Sequence, residues 1–337
     1  MTVHSAIRFC NRRLIIIDQT RLPDKVYYLR LSNYQQIISA IKHLKIRGAP
    51  LIGVAAAYGL ALESTRKKPN LRVYLASVAN RLKIARPTAV NLQWAVNQML
   101  EIINNRTLSE NELKKLLLSQ AQTIDKTEQN NSYLIGANGA QLVKKNSTII
   151  TICNTGWLAA PGIGTALGII YTAHNQGKKI NVFVLETRPL LQGARLTAYE
   201  LSQAKIPYTL ITDNMVGSVM NKIDMVLVGT DRIVRNGDTA NKIGTLTLAI
   251  TARYYHVPFY VAAPSSSFDL TKKTGQDIII EQRNGHEVRY IRNQLISPKK
   301  SPVYNPAFDV TPHKLITAII TEKGILKPPY PKAISKL

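Results

Sequence analysis

From residue 6 to 31 apolar and polar positions alternate. Ile7 and Phe9 come first, then 14–17, then 26–31, with breaks at Asn11-Arg12-Arg13 and Leu22-Pro23-Asp24-Lys25. A period of two between turn-forming breaks predicts a small three-stranded antiparallel meander. Between 34 and 144 the period changes. Apolar residues recur at helical spacing in Ile37, Ile38, Ile41 and Leu44, in Leu71, Leu75, Val78 and Leu82, in Leu92, Val96, Met99 and Ile103, and in Leu113, Leu116 and Leu117. This predicts a helical region on which the meander packs. From Thr148 onward, apolar runs alternate with helical stretches. Strands are expected at 149–153, 180–186, 208–212, 224–229 and 259–263. Helices are expected from Gly164, Gly193 and Met215 and through 246–255, with a polar loop after the fourth strand. Repeating β-α units predict an α/β chain with a Rossmann-like, doubly wound, mostly parallel sheet. The expected boundary follows a long helix ending in Lys144-Lys145-Asn146. It gives an N-terminal meander-and-helix domain, 1–145, and a Rossmann-like catalytic domain, 146–337.

In the second half the polar oddities gather at strand carboxyl ends. They are Cys153-Asn154-Thr155-Gly156, the loop 186–193 with Gln192, Thr212-Asp213-Asn214, Gly229-Thr230-Asp231-Arg232 leading on to Asp238, Asn241 and Lys242, and Pro264-Ser265-Ser266-Ser267. Open parallel sheets bind ligands just past these ends, so five such loops predict a site. The first combines a thiol with Gly156, Gly162, Gly164 and a following helix, the arrangement that converges backbone N–H groups on an anion. Its Gly162, Gly164 and Gly168 form GxGxxxG, one residue longer than the dinucleotide fingerprint, and no Gly-Lys-Ser/Thr of a Walker loop follows. Cys153 alone fits a small buried hydrophobe as well as a reactive thiol.

Two arginines precede helices. In Arg47-Gly48-Ala49-Pro50 the proline suits the first helical position, which leaves Arg47 at the end of the helix dipole that disfavours a cation. A bound anion bridging the arginine and the helix start would resolve the conflict; an ordinary loop before a close-packed Ala- and Gly-rich helix is the alternative. Arg86-Pro87-Thr88-Ala89-Val90-Asn91 repeats the Arg-Pro step, either as a surface turn or as a second phosphate arm.

Composition narrows the class. The 337 residues are 45% hydrophobic and 19% charged, as in a globular protein. The start lacks a signal peptide's apolar core, and no stretch reaches the length of a membrane span. With only Cys10 and Cys153, a disulfide framework is not expected and a reducing, cytoplasmic setting is. The histidines form no metal-spaced pair, so no metal is expected. The net charge is +24, from 44 basic and 20 acidic residues. The basic residues are scattered and accompany no helix-turn-helix, zinc-finger or aromatic RNA-binding motif, so a solvated surface attracting a phosphorylated substrate is expected rather than nucleic-acid binding.

Cys153 and Asp231 each close a strand that a doubly wound sheet can bring to one crevice. A thiol facing a carboxyl group is an acid/base pair able to move hydrogen between adjacent sugar carbons. Asn241 and Lys242 offer an amide and a cation, and Gln192 a second amide. A rival reading joins the glycines to Glu186, about 20 residues on, as the ribose-binding carboxylate of an NAD-dependent oxidoreductase.

These motifs together resemble the methylthioribose-1-phosphate isomerases of methionine salvage, relatives of the alpha, beta and delta regulatory subunits of translation initiation factor 2B. The resemblance covers nearly the whole chain. It rests on Ile46-Arg47-Gly48-Ala49-Pro50, the Arg86–Asn91 motif, Cys153-Asn154-Thr155-Gly156 with Gly162 to Gly168, Glu186-Thr187-Arg188-Pro189 through Gln192-Gly193-Ala194-Arg195, Gly229-Thr230-Asp231-Arg232, Asn236-Gly237-Asp238 with Ala240-Asn241-Lys242-Ile243-Gly244, and Asn305-Pro306-Ala307-Phe308-Asp309. It implies an aldose–ketose isomerase acting on 5-methylthioribose 1-phosphate, with Cys153 and Asp231 as catalytic pair and Asp231 as proton donor. It implies substrate binding by Arg47, Gly48, Ala49, Arg86, Gln192, Asn241 and Lys242, a homodimer and no cofactor. The chain departs from the family pattern at Ala160-Pro161, Gln282 and Leu246. Those departures bear on the sugar, since related enzymes isomerise 5-deoxyribose 1-phosphate or ribose 1,5-bisphosphate. A non-catalytic regulatory subunit is the alternative from another functional class.

Overall fold

The structure is a computed structural model describing residues 5–86 and 88–337, so Pro87 of the Arg-Pro step lies outside the described residues. The meander is present as β1 (Ile7–Cys10), β2 (Arg13–Ile17) and β3 (Tyr28–Leu31), paired antiparallel. Five helices follow: α1 (Tyr34–Lys42), α2 (Ala49–Ser64), α3 (Leu71–Lys83), α4 (Val90–Asn104) and α5 (Glu110–Ala140). Every residue of α2 is buried, which explains its small apolar composition: the other elements pack around it on all sides. A Cβ on Gly53 would lie 2.8 Å from the Asn91 carbonyl oxygen, so that glycine lets α4 approach. The capping box of Ser109 and Glu112 opens α5. This helix ends at Ala140, short of the expected Lys144-Lys145-Asn146, and turns carry the chain to the sheet.

The remaining elements are β4 (Thr148–Thr151), α6 (Ala166–Asn175), β5 (Asn181–Leu185), α7 (Ala198–Gln203), β6 (Tyr208–Ile211), α8 (Val216–Val219), β7 (Met225–Val228), β8 (Arg232–Val234), β9 (Thr239–Lys242), α9 (Thr245–Tyr254), β10 (Phe259–Ala262) and β11 (Phe268–Asp269), then α10 (His286–Arg289), β12 (Tyr290–Ile291), β13 (Gln294–Leu295), β14 (Phe308–Thr311), β15 (Ala318–Thr321), β16 (Gly324–Leu326) and α11 (Tyr330–Ile334). Seven strands form the main sheet in the order β16-β15-β10-β7-β4-β5-β6, all parallel except β16. Its strands bury both faces. Ile149, Val182 and Leu227 face the helical side, while Ile150, Val226 and Val261 face the core that includes α9.

The stretch between β7 and α9, expected to be a polar loop, is instead the hairpin β8–β9. It forms a second sheet in the order β11-β8-β9-β14. All four residues of β9, Thr239 to Lys242, are buried, so its sequence lacks the alternation that marks a half-exposed strand.

The strand order locates the crevice. From β4 the chain moves outward through β5 and β6, then returns to place β7 on the other side of β4. The order therefore reverses between β4 and β7, and at such a switch point the two following loops diverge and leave a cleft at the carboxyl edge. Cys153 leaves β4 and Asp231 leaves β7.

Candidate active site

Cys153 has a left-handed backbone, φ 64°. A non-glycine residue in that region needs external support. Two threonines from the loop after β5 provide it: the Cys153 N–H donates to Thr187 Oγ1 at 2.8 Å, and Thr197 Oγ1 donates to the Cys153 carbonyl at 2.6 Å. Asp213, after β6, accepts from the Thr187 and Arg188 N–H groups at 2.8 and 2.6 Å. The third of the five predicted loops thus buttresses the second.

Arg47 reaches in from the start of α2. Its Nη1 and Nη2 each donate to the Asn154 carbonyl at 3.1 Å, Nη2 also donates to Asn154 Oδ1, and Nε donates to Gln19 Oε1 at 3.2 Å. Nη1 lies 4.0 Å from Cys153 Sγ. Burial pulls the Arg47 pKa down, with Cys153, Glu200 and Asp231 pushing it back up. Its hydrogen-bond acceptors are neutral, so they orient the guanidinium without cancelling its charge. Gly48, φ 92°, packs so tightly on the Cys153 loop that a Cβ would lie 2.1 Å from the Ala159 oxygen. Pro50 has no N–H and the Leu51 N–H is taken by the Ala159 carbonyl at 3.3 Å, which leaves Gly48 and Ala49 to present the helix's first donors.

The opposite wall comes from β7 and the second sheet. The Asp231 N–H donates to the Ala240 carbonyl at 3.0 Å, fixing the strand end against β9. Asn241 Nδ2 donates to Thr245 Oγ1 at 3.0 Å, and Lys242 Nζ donates to the Ala307 carbonyl at 2.8 Å while lying 4.6 Å from the Phe308 ring centroid. The Arg86 guanidinium lies 5.6 Å from the same ring centroid, so two buried cations share the Phe308 ring. Arg86 Nε faces Glu281 Oε2 at 3.8 Å, and neither atom has a hydrogen-bond partner. Glu281 in turn accepts from Arg283 Nη1 at 2.8 Å.

Arg47, Gly48, Ala49, Arg86, Cys153, Asp231, Asn241, Lys242 and Phe308 line one cleft, partly open to solvent. Among the described residues its lining carries Arg47, Arg86, Lys242 and Arg283, the last paired with Glu281 and Glu287 behind it, and the carboxyl of Asp231. Burial raises the Asp231 pKa, opposed by Arg86, Lys242 and Arg47. Burial lowers that of Lys242, opposed by Cys153 and Asp231. Gln192 is buried at the same cleft, its Oε1 without a hydrogen-bond partner, an acceptor placed for a ligand's hydroxyl. A cationic cleft holding one carboxyl, whose pKa burial raises, and one thiol can bind an anion and exchange protons beside it.

All nine residues expected at the site, Arg47, Gly48, Ala49, Arg86, Cys153, Gln192, Asp231, Asn241 and Lys242, line this cleft. The glycine-rich cradle is corrected. Gly162, Gly164 and Gly168 lie outside the lining, because Thr155 has taken the start of α6: its carbonyl accepts the Thr165 N–H at 2.7 Å and its hydroxyl the Leu167 N–H at 3.2 Å. Gly164 instead lets two loops touch, since a Cβ there would lie 2.4 Å from the Gly156 Cα. Glu186 also stands outside the lining. Asp238 belongs to a structural clamp that accepts from Gly275 and His313 N–H at 3.0 and 2.8 Å. Sequence reasoning gave no role to Arg283, Phe308, Gln19 or Glu200. Arg283 lies in a stretch without periodicity, and Gln19 and Glu200 act from behind the wall. Among the described residues no three His, Cys, Asp or Glu could hold a metal together, and no helix is long and apolar enough to cross a membrane.

The model of the initiation factor 2 subunit family matches residues 45–328. A curated methylthioribose-1-phosphate isomerase from Carboxydothermus hydrogenoformans is 51% identical over 332 residues, 96% of each chain. The solved 5-methylthioribose 1-phosphate isomerase from Pyrococcus horikoshii OT3 superposes with a TM-score of 0.91 at 39% identity, covering 100% of this chain and 96% of its own. A structure described as translation initiation factor eIF-2B, subunit delta, from A. fulgidus gives 0.84 at 41% identity, covering 98% of each.

Proposed function

The chain belongs to the initiation factor 2 subunit family, and from that premise we propose that it is an aldose–ketose isomerase of methionine salvage, converting 5-methylthioribose 1-phosphate to 5-methylthioribulose 1-phosphate. Relatives of that name match it at about half identity over nearly its whole length. The observation that carries the reading is the cleft itself, with a thiol and a carboxyl on the two strands that flank the sheet's reversal, inside a lining that carries Arg47, Arg86 and Lys242.

In this reading Arg47, Arg86, Lys242 and the first N–H groups of α2 at Gly48 and Ala49 hold the phosphate. Gln192 and Asn241 receive sugar hydroxyls. A phosphate on the anomeric oxygen blocks a free aldehyde, so the ring opens only if its oxygen is protonated as the bond to C1 breaks. Asp231 supplies that proton. Burial holds its carboxyl in the protonated form to higher pH than an exposed aspartate. The C2 hydrogen then passes to C1 with its bonding electron pair, the 2-hydroxyl O–H bond breaks as C2 becomes the carbonyl, and the Cys153 sulfur takes up that hydroxyl proton. The conversion is redox-neutral within one molecule and needs no external hydride acceptor. We further propose that 1–145 and a Rossmann-like 146–337 serve as the two domains closing on the sugar, in a cytoplasmic homodimer.

The likeness to the eIF-2B subunit favours a second reading, a regulatory subunit without turnover. Retention of both Cys153 and Asp231 supports the enzyme, since a pure binder needs neither. Incubation without cofactor of 5-methylthioribose 1-phosphate, 5-deoxyribose 1-phosphate and ribose 1,5-bisphosphate, each with ketose read by NMR, separates the two. Conversion with the methylthio sugar preferred supports the isomerase. A folded protein that converts none supports the regulatory subunit.

A further inference from the structure

Behind the cleft lies a carboxylate that the reaction above does not use. Glu200, on α7, is 1% exposed. It accepts from Asn154 Nδ2 at 2.7 Å, the Trp157 N–H at 2.8 Å, the Leu158 N–H at 3.3 Å and Tyr171 Oη at 2.9 Å. Gly156 is glycine because a Cβ would lie 1.9 Å from Glu200 Oε2. One side chain therefore gathers the loop running from Cys153 to Leu158.

The bond to Asn154 has a directional consequence. An amide that donates from Nδ2 to Glu200 must turn Oδ1 the other way, and Oδ1 is the atom that accepts from Arg47 Nη2. Gln19 holds the far side of the guanidinium through Oε1, with its own Nε2 donating to the Leu158 carbonyl at 2.7 Å. Arg47 is thus aimed by a relay whose polarity is set at Glu200, with Thr197 Oγ1 accepting from the same Asn154 Nδ2 at 3.2 Å. We propose that Glu200 is a positioning residue that, through Asn154, orients Arg47 toward the substrate's phosphate and fixes the Cys153 loop beside it.

Two effects of neutralising Glu200 oppose each other. Removing a negative charge near Arg47 favours a bound anion. In Glu200→Gln, however, either orientation of the new amide sets its NH2 against a backbone N–H, that of Leu158 or that of Trp157, so the side chain loosens its hold on the loop and on Asn154. If Glu200 matters only as charge, Glu200→Gln tightens anion binding; if it positions Arg47, the substitution weakens it. The relay can also be broken at its other link. Asn154→Ala leaves the Glu200 charge in place and removes the amide between it and Arg47.

The assignment of Arg47 to the phosphate rests on the isomerase reading, so binding and turnover are measured separately. Sulfate, whose charge is constant across the working pH range, protects Cys153 from iodoacetamide, with Cys10 as internal control because it is a partly exposed free thiol. The proposal expects sulfate to bind at least tenfold more weakly in Glu200→Gln, KM for the sugar phosphate to rise in parallel, and Asn154→Ala, with the Glu200 charge still in place, to weaken sulfate binding in the same direction. Unchanged or tighter sulfate binding in Glu200→Gln overturns it. If Glu200→Gln does not fold, Asn154→Ala decides: sulfate protection weakened at least threefold supports the relay, and unchanged protection overturns it. A wild type that shows sulfate protection but converts no sugar phosphate removes the isomerase reading and leaves the Glu200 test intact.

Discussion

Glu128 offers a stability test that can be worked through from the structure. It sits on α5, 4% exposed, and accepts from Ser266 Oγ at 2.7 Å. Ser266 in turn accepts from Asn91 Nδ2 at 2.7 Å, so the group ties α5 to α4 and to the loop after β10 that brings Pro264 to the cleft. Burial raises its pKa from 4.5 to about 7, with Ser266 opposing and Glu322 reinforcing. A folded-state pKa above the unfolded one contributes stability that is complete below pH 4.5 and lost as pH rises through about 7. Each pH unit of that interval corresponds to about 1.4 kcal/mol. Glu128→Gln keeps the acceptor for Ser266 and never ionises. Its advantage over wild type should therefore grow from under about 1 kcal/mol at pH 5 to about 3 kcal/mol above pH 8. Urea unfolding at pH 5 and pH 8.5, extrapolated to water with the slope checked for constancy, measures this directly. A difference between the two proteins that is the same at both pH values would refute the assignment of a buried, proton-bound Glu128.

Three further outcomes are expected. Gly48→Ala places a Cβ 2.1 Å from the Ala159 oxygen at a φ of 92°, so it should lose about 2 kcal/mol or more in a denaturant titration and raise KM as α2 and the Cys153 loop part. In the proposed reaction Asp231 is the acid, and burial raises its pKa, so kcat/KM in wild type should fall as pH rises through that pKa. Asp231→Asn should be nearly inactive and lose that limb; a pH profile identical to wild type would take Asp231 out of the proton transfer. Lys242→Met keeps a chain of similar length beside Phe308 and removes the ammonium, so it should raise KM about tenfold or more, as loss of one charge-assisted phosphate contact does, and leave thermal stability nearly unchanged.

The parts of the fold legible beforehand are those where one face or both faces of an element are apolar. The period-two meander, the helices from Ile37 onward and the buried strands of the main sheet all carry such a pattern. The hairpin β8–β9 was not legible because Asn241 and Lys242 occupy buried strand positions with polar side chains, held there by Thr245, Ala307 and Phe308 rather than by an apolar core. The lining of the candidate site was legible where a residue conflicted with its local surroundings. Arg47 stands at the unfavourable end of a helix dipole, and the structure places it at the cleft, held by Asn154 and Gln19 carbonyl oxygens. The glycine-rich turn misled because the same residues that cradle an anion also permit close loop packing, and here Thr155 fills the helix start. Glu200 and Gln19 were invisible because their roles depend on partners far along the chain, Asn154 and Arg47, which only the folded topology brings within reach.

Cys153 and Asp231, across the β4–β7 cleft, are proposed to isomerise a phosphorylated pentose. The decisive experiment is NMR of 5-methylthioribose 1-phosphate incubated with the protein and no cofactor, in wild type and in Cys153→Ser. The ketose 1-phosphate should appear with wild type and be absent with a Cys153→Ser protein that unfolds at the wild-type temperature. Equal conversion by the two proteins would contradict the role of the thiol, and no conversion by a folded wild type would contradict the isomerase itself.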